Sequence, residues 1–226
     1  MSTLVLDAGP DGVTAAVLRH DLSVVASTHV DVAPAEHDGR LELAPDDLWR
    51  ATLTAARRVV DGAGTERPDR VAVTTDPVAT VLWDRETLGS PRRAVLARTV
   101  DVLASVAAQE PHTWALVVEG RYAVGGLESY LVARMTLGTW HATDATHAAA
   151  TGLLADGRYT WSLDACRSAG VPVDALPELV PTSGRVATTE ERAFVGLAVP
   201  VTALVARDPA ATPADRLLAA AALAAS

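Results

Sequence analysis

Residues 4–18, L-V-L-D-A-G-P-D-G-V-T-A-A-V-L, constrain the fold more than any other part of this sequence. Two apolar runs of strand length flank the segment D-A-G-P-D-G, where glycine and proline favour a tight turn. The pattern therefore predicts a β-hairpin that opens an α/β sheet. Residues 24–32 contain enough β-branched side chains to form a third strand that runs back beside the hairpin.

The turn of this hairpin contains residues that could hold an anion together with a cation. Asp7 ends the first predicted strand, and the small residues that follow it leave backbone N–H groups free to face an anion. A carboxylate beside such a turn suits a phosphate with a divalent cation, and Asp7 would be the cation ligand. The alternative is an ordinary turn, because Asp and Gly are favoured in turns for purely local reasons.

Composition limits the classes of partner. With 226 residues and 49% hydrophobic content, the chain fits one large domain or two small ones with a continuous core. The net charge of −9 disfavours nucleic acid and anionic membranes, because binding them requires clustered cations. All 19 basic residues are arginine, which excludes a lysine phosphate clamp. The single cysteine excludes an intramolecular disulfide, and no leader pattern begins the chain, so we expect a cytoplasmic protein.

Helix and strand patterns alternate along the rest of the chain. Proline and acidic residues at 45–47 predict a helix start, and glycines at 62 and 64 predict its end. The other predicted helices cover residues 94–109, 126–136, 143–153 and 163–169, with a last one that begins at Thr212 and Pro213. The other predicted strands cover residues 70–75 and 80–84 and lie within 194–206, and residues 114–118 fit either type.

A histidine and aspartate pattern provides a weaker metal-site candidate. His141, Asp144 and His147 are spaced three residues apart, which is compatible with metal binding. However, Asp144 is better explained as the cap of the next helix. No third strong ligand lies close to the two histidines, and zinc sites normally need three or four ligands. Cys166 and Ser183 lack any motif of an activated nucleophile.

Four sequence motifs occur in one order along the chain. They are Asp7-x-Gly9; G-R-L-E-L-A-P-D-D-L-W at 39–49; V-T-T-D-P-V-A-T-V-L-W-D-R-E-T at 73–87; and a last group of Leu137-Gly138, Thr143-Asp144, Thr151-Gly152-Leu153, Trp161, A-G-V-P at 169–172, Leu176-Pro177-Glu178-Leu179 and Gly184. This set resembles the FGGY carbohydrate kinases, and among them the glycerol kinase type. The block W-D-R-E-T is the most specific, and the four together span nearly the whole chain.

The resemblance implies a fold class and a domain organisation. The fold is an actin-like, ribonuclease H-like α/β domain with a five-stranded mixed sheet, antiparallel at the hairpin, and helices on both faces. Members of this family carry two such domains, and the sugar and ATP meet in the cleft between them. Because the resemblance covers only the first, we expect residues 1–226 to be a single N-terminal-like domain without the ATP-binding one.

The resemblance also implies site residues. Asp7, Gly9 and Gly12 would face the nucleotide phosphates and Mg²⁺, with Asp7 as the metal ligand, whereas Asp76 and Trp83 would lie near the substrate. Trp83 is more simply a core aromatic.

One implied residue is catalytic. In the family, an aspartate after the last strand takes the proton from the attacking sugar hydroxyl as a general base. Asp208, in V-A-R-D-P-A-A, matches this position to within one residue. The alternative for Asp208 is a turn in which it caps the last helix, because Asp before Pro commonly opens a turn.

The sequence departs from the family pattern at two of these places. The family usually has D-x-G-T-T-S at the first turn, where this chain has Pro10-Asp11-Gly12 in place of Thr-Thr-Ser. Pro10 removes an N–H donor and Asp11 adds a negative charge, so both changes disfavour a bound anion. The Q-R-E that binds polyol hydroxyls in glycerol kinases aligns with Asp76-Pro77-Val78, where an Arg-Glu pair has become apolar.

These departures lead to two functional hypotheses. The first is a degenerate relative of the sugar kinases that transfers no phosphate alone and acts by binding a ligand or partner, without a cofactor. The second is the substrate half of a split kinase, which would use ATP and Mg²⁺ with a separate nucleotide-binding chain. We also expect a homodimer or a separate partner domain at the last helix, whose apolar positions are Leu217, Leu218, Ala221, Ala222 and Ala225.

Overall fold

A computed structural model describes residues 1–225, in which a six-stranded mixed sheet lies at the centre. The strands are β1 (Ser2–Gly9), β2 (Gly12–Arg19), β3 (Val24–Asp31), β4 (Ala35–His37), β5 (Arg40–Leu43), β6 (Arg70–Thr75), β7 (Val81–Asp84), β8 (Ala94–Val95), β9 (Tyr122–Gly125), β10 (Ala142–Thr143), β11 (Glu178–Leu179), β12 (Ser183–Thr188) and β13 (Pro200–Ala206). The helices are α1 (Pro45–Gly62), α2 (Thr99–Gln109), α3 (Pro111–Val118), α4 (Leu127–Met135), α5 (Ala145–Ala150), α6 (Leu163–Ala169) and α7 (Pro213–Ala225). A 3₁₀ turn covers Val173–Ala175.

The order of the central sheet is β12-β13-β6-β1-β2-β3. Strands β1, β2 and β3 form the predicted antiparallel hairpin and its third strand, whereas β1, β6 and β13 run parallel. The predicted mixed sheet with helices on both faces is therefore confirmed, but it has six strands rather than five. The added strand, β12, pairs antiparallel with β13 at one edge, and its sequence S-G-R-V-A-T carries little apolar signal.

Both faces of this sheet are buried by helices. Leu4 and Leu6 of β1 belong to the cluster that packs against α1, whereas Val5 belongs to the cluster that packs against α7. Successive side chains of a strand point to opposite faces, so the nearly continuous apolar run of β1 serves two cores. Its carboxyl end is consequently fixed between two helical layers.

The chain between β6 and β12 builds a second apolar cluster. Leu82, Leu103 and Trp161 are among its buried members, together with residues of α2, α3 and α6. The short sheets β7-β9 and β10-β11 lie within this segment. We call residues 76–182 the insert, because they connect two strands of the central sheet.

Two predicted helix boundaries in the insert are wrong. The helix predicted for residues 94–109 begins only at Thr99, because Ala94 and Val95 pair with β5 as a short strand. The helix predicted for 143–153 ends at Ala150, and Gly152 follows with a φ of +78° that leaves the helical region. The ambiguous residues 114–118 belong to helix α3.

Helix α7 is capped as its sequence predicts. The Thr212 hydroxyl accepts from the Asp215 N–H, and the Asp215 carboxylate accepts from the Thr212 N–H, which makes a capping box. Its buried residues Leu217, Ala220, Ala221 and Ala224 face the sheet, and Leu218 is half-buried against the same cluster. Much of the apolar stripe thus covers the chain's own sheet, and the homodimer stays a prediction.

Within residues 1–225, no helix combines the length and the apolar character needed to cross a membrane.

Candidate functional site

The candidate site lies where the parallel strands β1, β6 and β13 end. Carboxyl ends of parallel strands meet at one edge of a sheet, which is where ligands bind in open α/β folds. The β1-β2 turn, Asp76 and Arg207 lie at this edge, and the Arg207 N–H donates to the Thr75 carbonyl over 2.7 Å. The fold thus brings residues from both ends of the sequence together.

Two arginine side chains surround the carboxylate of Asp7. Asp7 is 0% exposed and points toward the α7 side of the sheet, where Arg216 lies on the first turn of that helix. Arg216 Nη2 lies 2.8 Å from Asp7 Oδ2, and Arg207 Nε lies 3.1 Å from Asp7 Oδ1. The carboxylate predicted to anchor a metal ion is therefore paired with two guanidinium groups.

Arg207 also closes the hairpin turn. Its Nη1 and Nη2 donate to the two carboxylate oxygens of Asp11 over 2.7 and 3.1 Å. Burial alone would raise the pKa of Asp11, but the hydrogen bonds and charge of Arg207 lower it below its ordinary value. The resulting cluster of two carboxylates and two guanidinium groups is close to neutral.

Two glycines make this arrangement possible. A Cβ atom on Gly9 would lie 1.8 Å from Arg207 Nη1, so the guanidinium group lies directly on the backbone there. Gly12 has a φ of +132°, and a Cβ atom would lie 2.4 Å from the Val30 carbonyl oxygen. The small residues predicted to leave room for phosphate instead leave room for Arg207 and for β3.

The space beside Asp76, where the resemblance places the substrate, is narrow. Asp76 Oδ1 accepts from the Val78 N–H over 2.9 Å, so this carboxylate holds a local turn. Beside Pro77 lies a cavity of about 10 Å³, which Glu128 and His147 also line. Such a volume suits about one water molecule.

Trp83 and the rest of the W-D-R-E-T block have structural contacts. Trp83 is 1% exposed, and its ring centroid lies 5.7 Å from that of Tyr130 and 4.8 Å from that of His141. Asp84 accepts from the N–H groups of Thr87 and Glu86 and pairs with an arginine of the insert. These interactions, with the Thr87 N–H contributing most, lower the pKa of Asp84 to about 2. The block with the most specific sequence signal fixes a buried aromatic group and a turn.

Asp208 is exposed, and Arg207 separates it from the end of β13. Its Oδ1 accepts from the Ala210 N–H over 2.8 Å, which is the turn that the sequence offered as the alternative. It does not cap α7, because Thr212 and Asp215 do so. The exposed carboxylate lies at the same edge of the sheet as the β1-β2 turn.

The histidine pattern does not form a metal centre. Asp144 caps α5 and contacts His147, whereas His141 contacts Trp83 and its Nε2 lies 3.1 Å from the Val124 carbonyl. Burial lowers the pKa of His141 to about 3. No group of three or more potential metal ligands was found among residues 1–225.

Sequence reasoning missed Arg207, Arg216 and Glu128. The two arginines lie 200 and 209 residues from Asp7, and no local pattern connects them to it. Glu128 is 1% exposed in helix α4, where a charged residue with a buried position is unusual. An acid in an otherwise mostly apolar helix was the only signal available for it.

Comparison with known proteins places this geometry in a class. No family model matches the sequence. A glycerol kinase of Methylobacterium nodulans is 29% identical over 92% of this chain and 48% of its own length, and one of Coxiella burnetii is 26% identical over the same shares. The crystal structure of Plasmodium falciparum glycerol kinase with ADP has a TM-score of 0.82 at 15% identity, over 91% of this chain and 48% of that one. Xylulose kinase from Rhodospirillum rubrum has a TM-score of 0.81 at 20% identity, over 91% and 49%.

The fold is that of the sugar kinases with an actin-like ATPase architecture, as the sequence predicted. Within this class, the chain is related to the FGGY-type carbohydrate kinases and corresponds to their N-terminal half. The chain spans about half the length of the curated relatives it matches.

Proposed function

We propose that this chain is a carbohydrate-kinase-related domain that transfers no phosphate by itself and acts by binding a ligand or a partner. The observation that carries the proposal is the position of Arg207. Its guanidinium group lies on Gly9 and pairs with Asp7 and Asp11, where a phosphate or metal ion would need room. A metal ion would be repelled by this guanidinium, and an anion would compete with two carboxylates already paired to it.

The substrate side supports the same proposal. The cavity beside Pro77 has a volume of about 10 Å³, whereas small-molecule sites usually have several hundred. Asp76 already accepts a backbone hydrogen bond, and the two residues after it carry no side-chain donor or acceptor. A polyol would find few hydrogen-bonding partners there.

The second candidate function is the substrate half of a split sugar kinase. It is favoured by Asp208, whose carboxylate is exposed at the candidate edge and could accept a proton from a hydroxyl. A separate nucleotide-binding chain would then have to supply the phosphate contacts. It would also have to displace Arg207 from the turn.

Mg-ATP at millimolar concentration is expected to leave the melting temperature unchanged, because Arg207 fills the turn. A specific ligand at one hundred times its Kd would add about 2.7 kcal/mol to the free energy of unfolding. A thermal-shift series with Mg-ATP measures this, and magnesium tripolyphosphate at equal ionic strength controls for general anion effects. A saturable rise with Mg-ATP alone would contradict the proposal.

Glycerol and common pentoses are expected to be neither bound nor phosphorylated, even when a nucleotide-binding kinase domain is added in trans. The physical reason is the narrow cavity beside Pro77. Mass spectrometry of the reaction mixture would detect sugar phosphate, with a complete glycerol kinase as the positive control. Sugar phosphate above the level without this protein, and lost in Asp208→Asn, would favour the split kinase instead.

A further inference from the structure

A buried polar cluster joins the insert to the central sheet. Glu128 of α4, Asp144 at the start of α5 and His147 within α5 are each at most 2% exposed. His147 Nδ1 contacts Asp144 Oδ1, and His147 Nε2 lies 3.0 Å from the Thr75 hydroxyl and 3.8 Å from Glu128 Oε2. The Thr75 hydroxyl in turn lies 3.5 Å from Glu128 Oε2. We call these four residues the buried cluster.

Within the described residues 1–225, the other hydrogen bonds to the two carboxylates come from neutral donors. Thr143 of β10 donates to Glu128 Oε1 over 2.7 Å, and Thr182 donates to Asp144 Oδ2 over 2.8 Å. The Ser129 hydroxyl lies 3.2 Å from Glu128 Oε1 but also donates to the Ala142 carbonyl. His147 is therefore the cationic group available to the two carboxylates.

The number of protons in the buried cluster decides whether each of its contacts has a donor. If His147 is neutral and Glu128 ionised, Nδ1–H donates to Asp144, and Nε2 and Glu128 Oε2 both need the one proton of Thr75. One buried acceptor then receives no hydrogen bond from the described residues of the protein, which is costly. With one more proton, every contact has a donor: His147 Nε2–H donates to Thr75, and the Thr75 hydroxyl donates to Glu128.

The added proton can lie on His147 or on Glu128. On Glu128 it would donate to the Thr75 oxygen, and the Thr75 hydroxyl would donate to His147 Nε2. Both arrangements contain the same number of protons, so the titration belongs to the cluster rather than to one residue.

The charges around His147 also favour binding of the added proton. Burial alone would lower the pKa of His147, but the charge of Glu128 and the hydrogen bond and charge of Asp144 raise it. Tyr159 also lies close enough to interact with Asp144; burial and the charge of Asp144 raise the pKa of Tyr159, so it is neutral at pH 7. Thr75, Thr143 and Thr182 bring no charge from the remaining elements.

We propose that the buried cluster holds one added proton at neutral pH, and that this proton fastens the insert to the central sheet. The elements joined are β6 through Thr75, α4 through Glu128 and α5 through Asp144 and His147. Loss of the proton would leave two carboxylates and a neutral imidazole in a buried site. The protein is therefore pH-sensitive on the alkaline side.

Whether the free energy of unfolding rises or falls with pH follows from proton binding in the folded and the unfolded state. In the unfolded chain, histidine loses its proton near pH 6.5. Below that pH both states hold the proton, and the contribution of the cluster is fully present. Above it only the folded state does, so stability falls as the pH rises, until the folded cluster itself loses the proton.

The test is urea unfolding of the full chain from pH 6 to pH 9. Above about pH 7, and until the folded cluster itself loses the proton, the unfolding equilibrium constant of the unmodified protein should rise about tenfold per pH unit relative to His147→Gln, whereas below about pH 6.5 the two should show the same pH dependence. Glu128→Gln should also flatten the dependence, because its amide donates to Thr75 without an added proton. His112→Gln is the matched control, since His112 is exposed, and it should keep the slope of the unmodified protein.

The proposal would be overturned if the unfolding equilibrium constant had the same pH dependence in the unmodified protein, His147→Gln and Glu128→Gln. If the variants fail to fold, NMR of the unmodified protein decides. At pH 7.5 we expect either an imidazolium at His147 or a protonated carboxyl at Glu128. A neutral imidazole together with an ionised Glu128 would overturn the proposal.

Discussion

Arg207→Ala is expected to lower the free energy of unfolding by about 2–4 kcal/mol. Removing one partner of a buried ion pair leaves the other charge uncompensated, which typically costs about 3–5 kcal/mol. Asp7 is fully buried but keeps Arg216, so the expected loss is somewhat smaller than for a carboxylate that loses its last partner. Urea denaturation at pH 7 measures the change directly.

Arg57→Ala is the matched control, because Arg57 is exposed on α1, and a change within about 0.5 kcal/mol is expected. Arg207→Lys tests geometry against charge. A lysine has no planar fork with which to reach both oxygens of Asp11. A loss below about 1 kcal/mol in Arg207→Ala would show that the cluster does not hold the turn.

Trp83→Ala is expected to cost about 3–5 kcal/mol of stability, which is the usual penalty for removing a buried tryptophan. Its ring is 1% exposed and packs edge-on against Tyr130 and His141. Trp140→Ala is the control, since Trp140 is 38% exposed, and a change below about 1 kcal/mol is expected. Thermal and urea unfolding of both variants give the comparison.

The comparison of Trp83→Ala with Trp140→Ala also decides what the W-D-R-E-T block does in this chain. A tryptophan that served mainly as a ligand platform would be partly exposed, and its removal would change binding more than stability. If Trp83→Ala were as stable as Trp140→Ala, the core role of Trp83 would be wrong, and the substrate role implied by the resemblance would gain weight.

Local sequence patterns were sufficient to predict much of the central sheet. The hairpin, β3 and β6 follow from apolar runs and turn residues, and α1 and α7 follow from a proline and acidic residues near the start of each helix. Boundaries in the insert were less predictable. There Ala94 and Val95 look helical by composition but pair with β5, a contact between residues about fifty positions apart.

The site was predictable only in part, for a related reason. Asp7, Gly9 and Gly12 were identified as one turn because they are neighbours in the sequence, and the structure does bring them together. Arg207 and Arg216, which decide the charge of that turn, come from elements that meet β1 only in the folded sheet. No pattern along a single segment contains that information.

The pairing of Asp7 with Arg207 and Arg216 also has a consequence for synthesis. Its partners lie 200 and 209 residues further along the chain. At translation rates of about 5–20 residues per second, the ribosome reaches them roughly 10–40 seconds after Asp7. Throughout that time the first strand carries a carboxylate whose final counter-ions do not yet exist, so a growing chain cannot complete the edge of the sheet that bears the candidate site until Arg207 and Arg216 have been made.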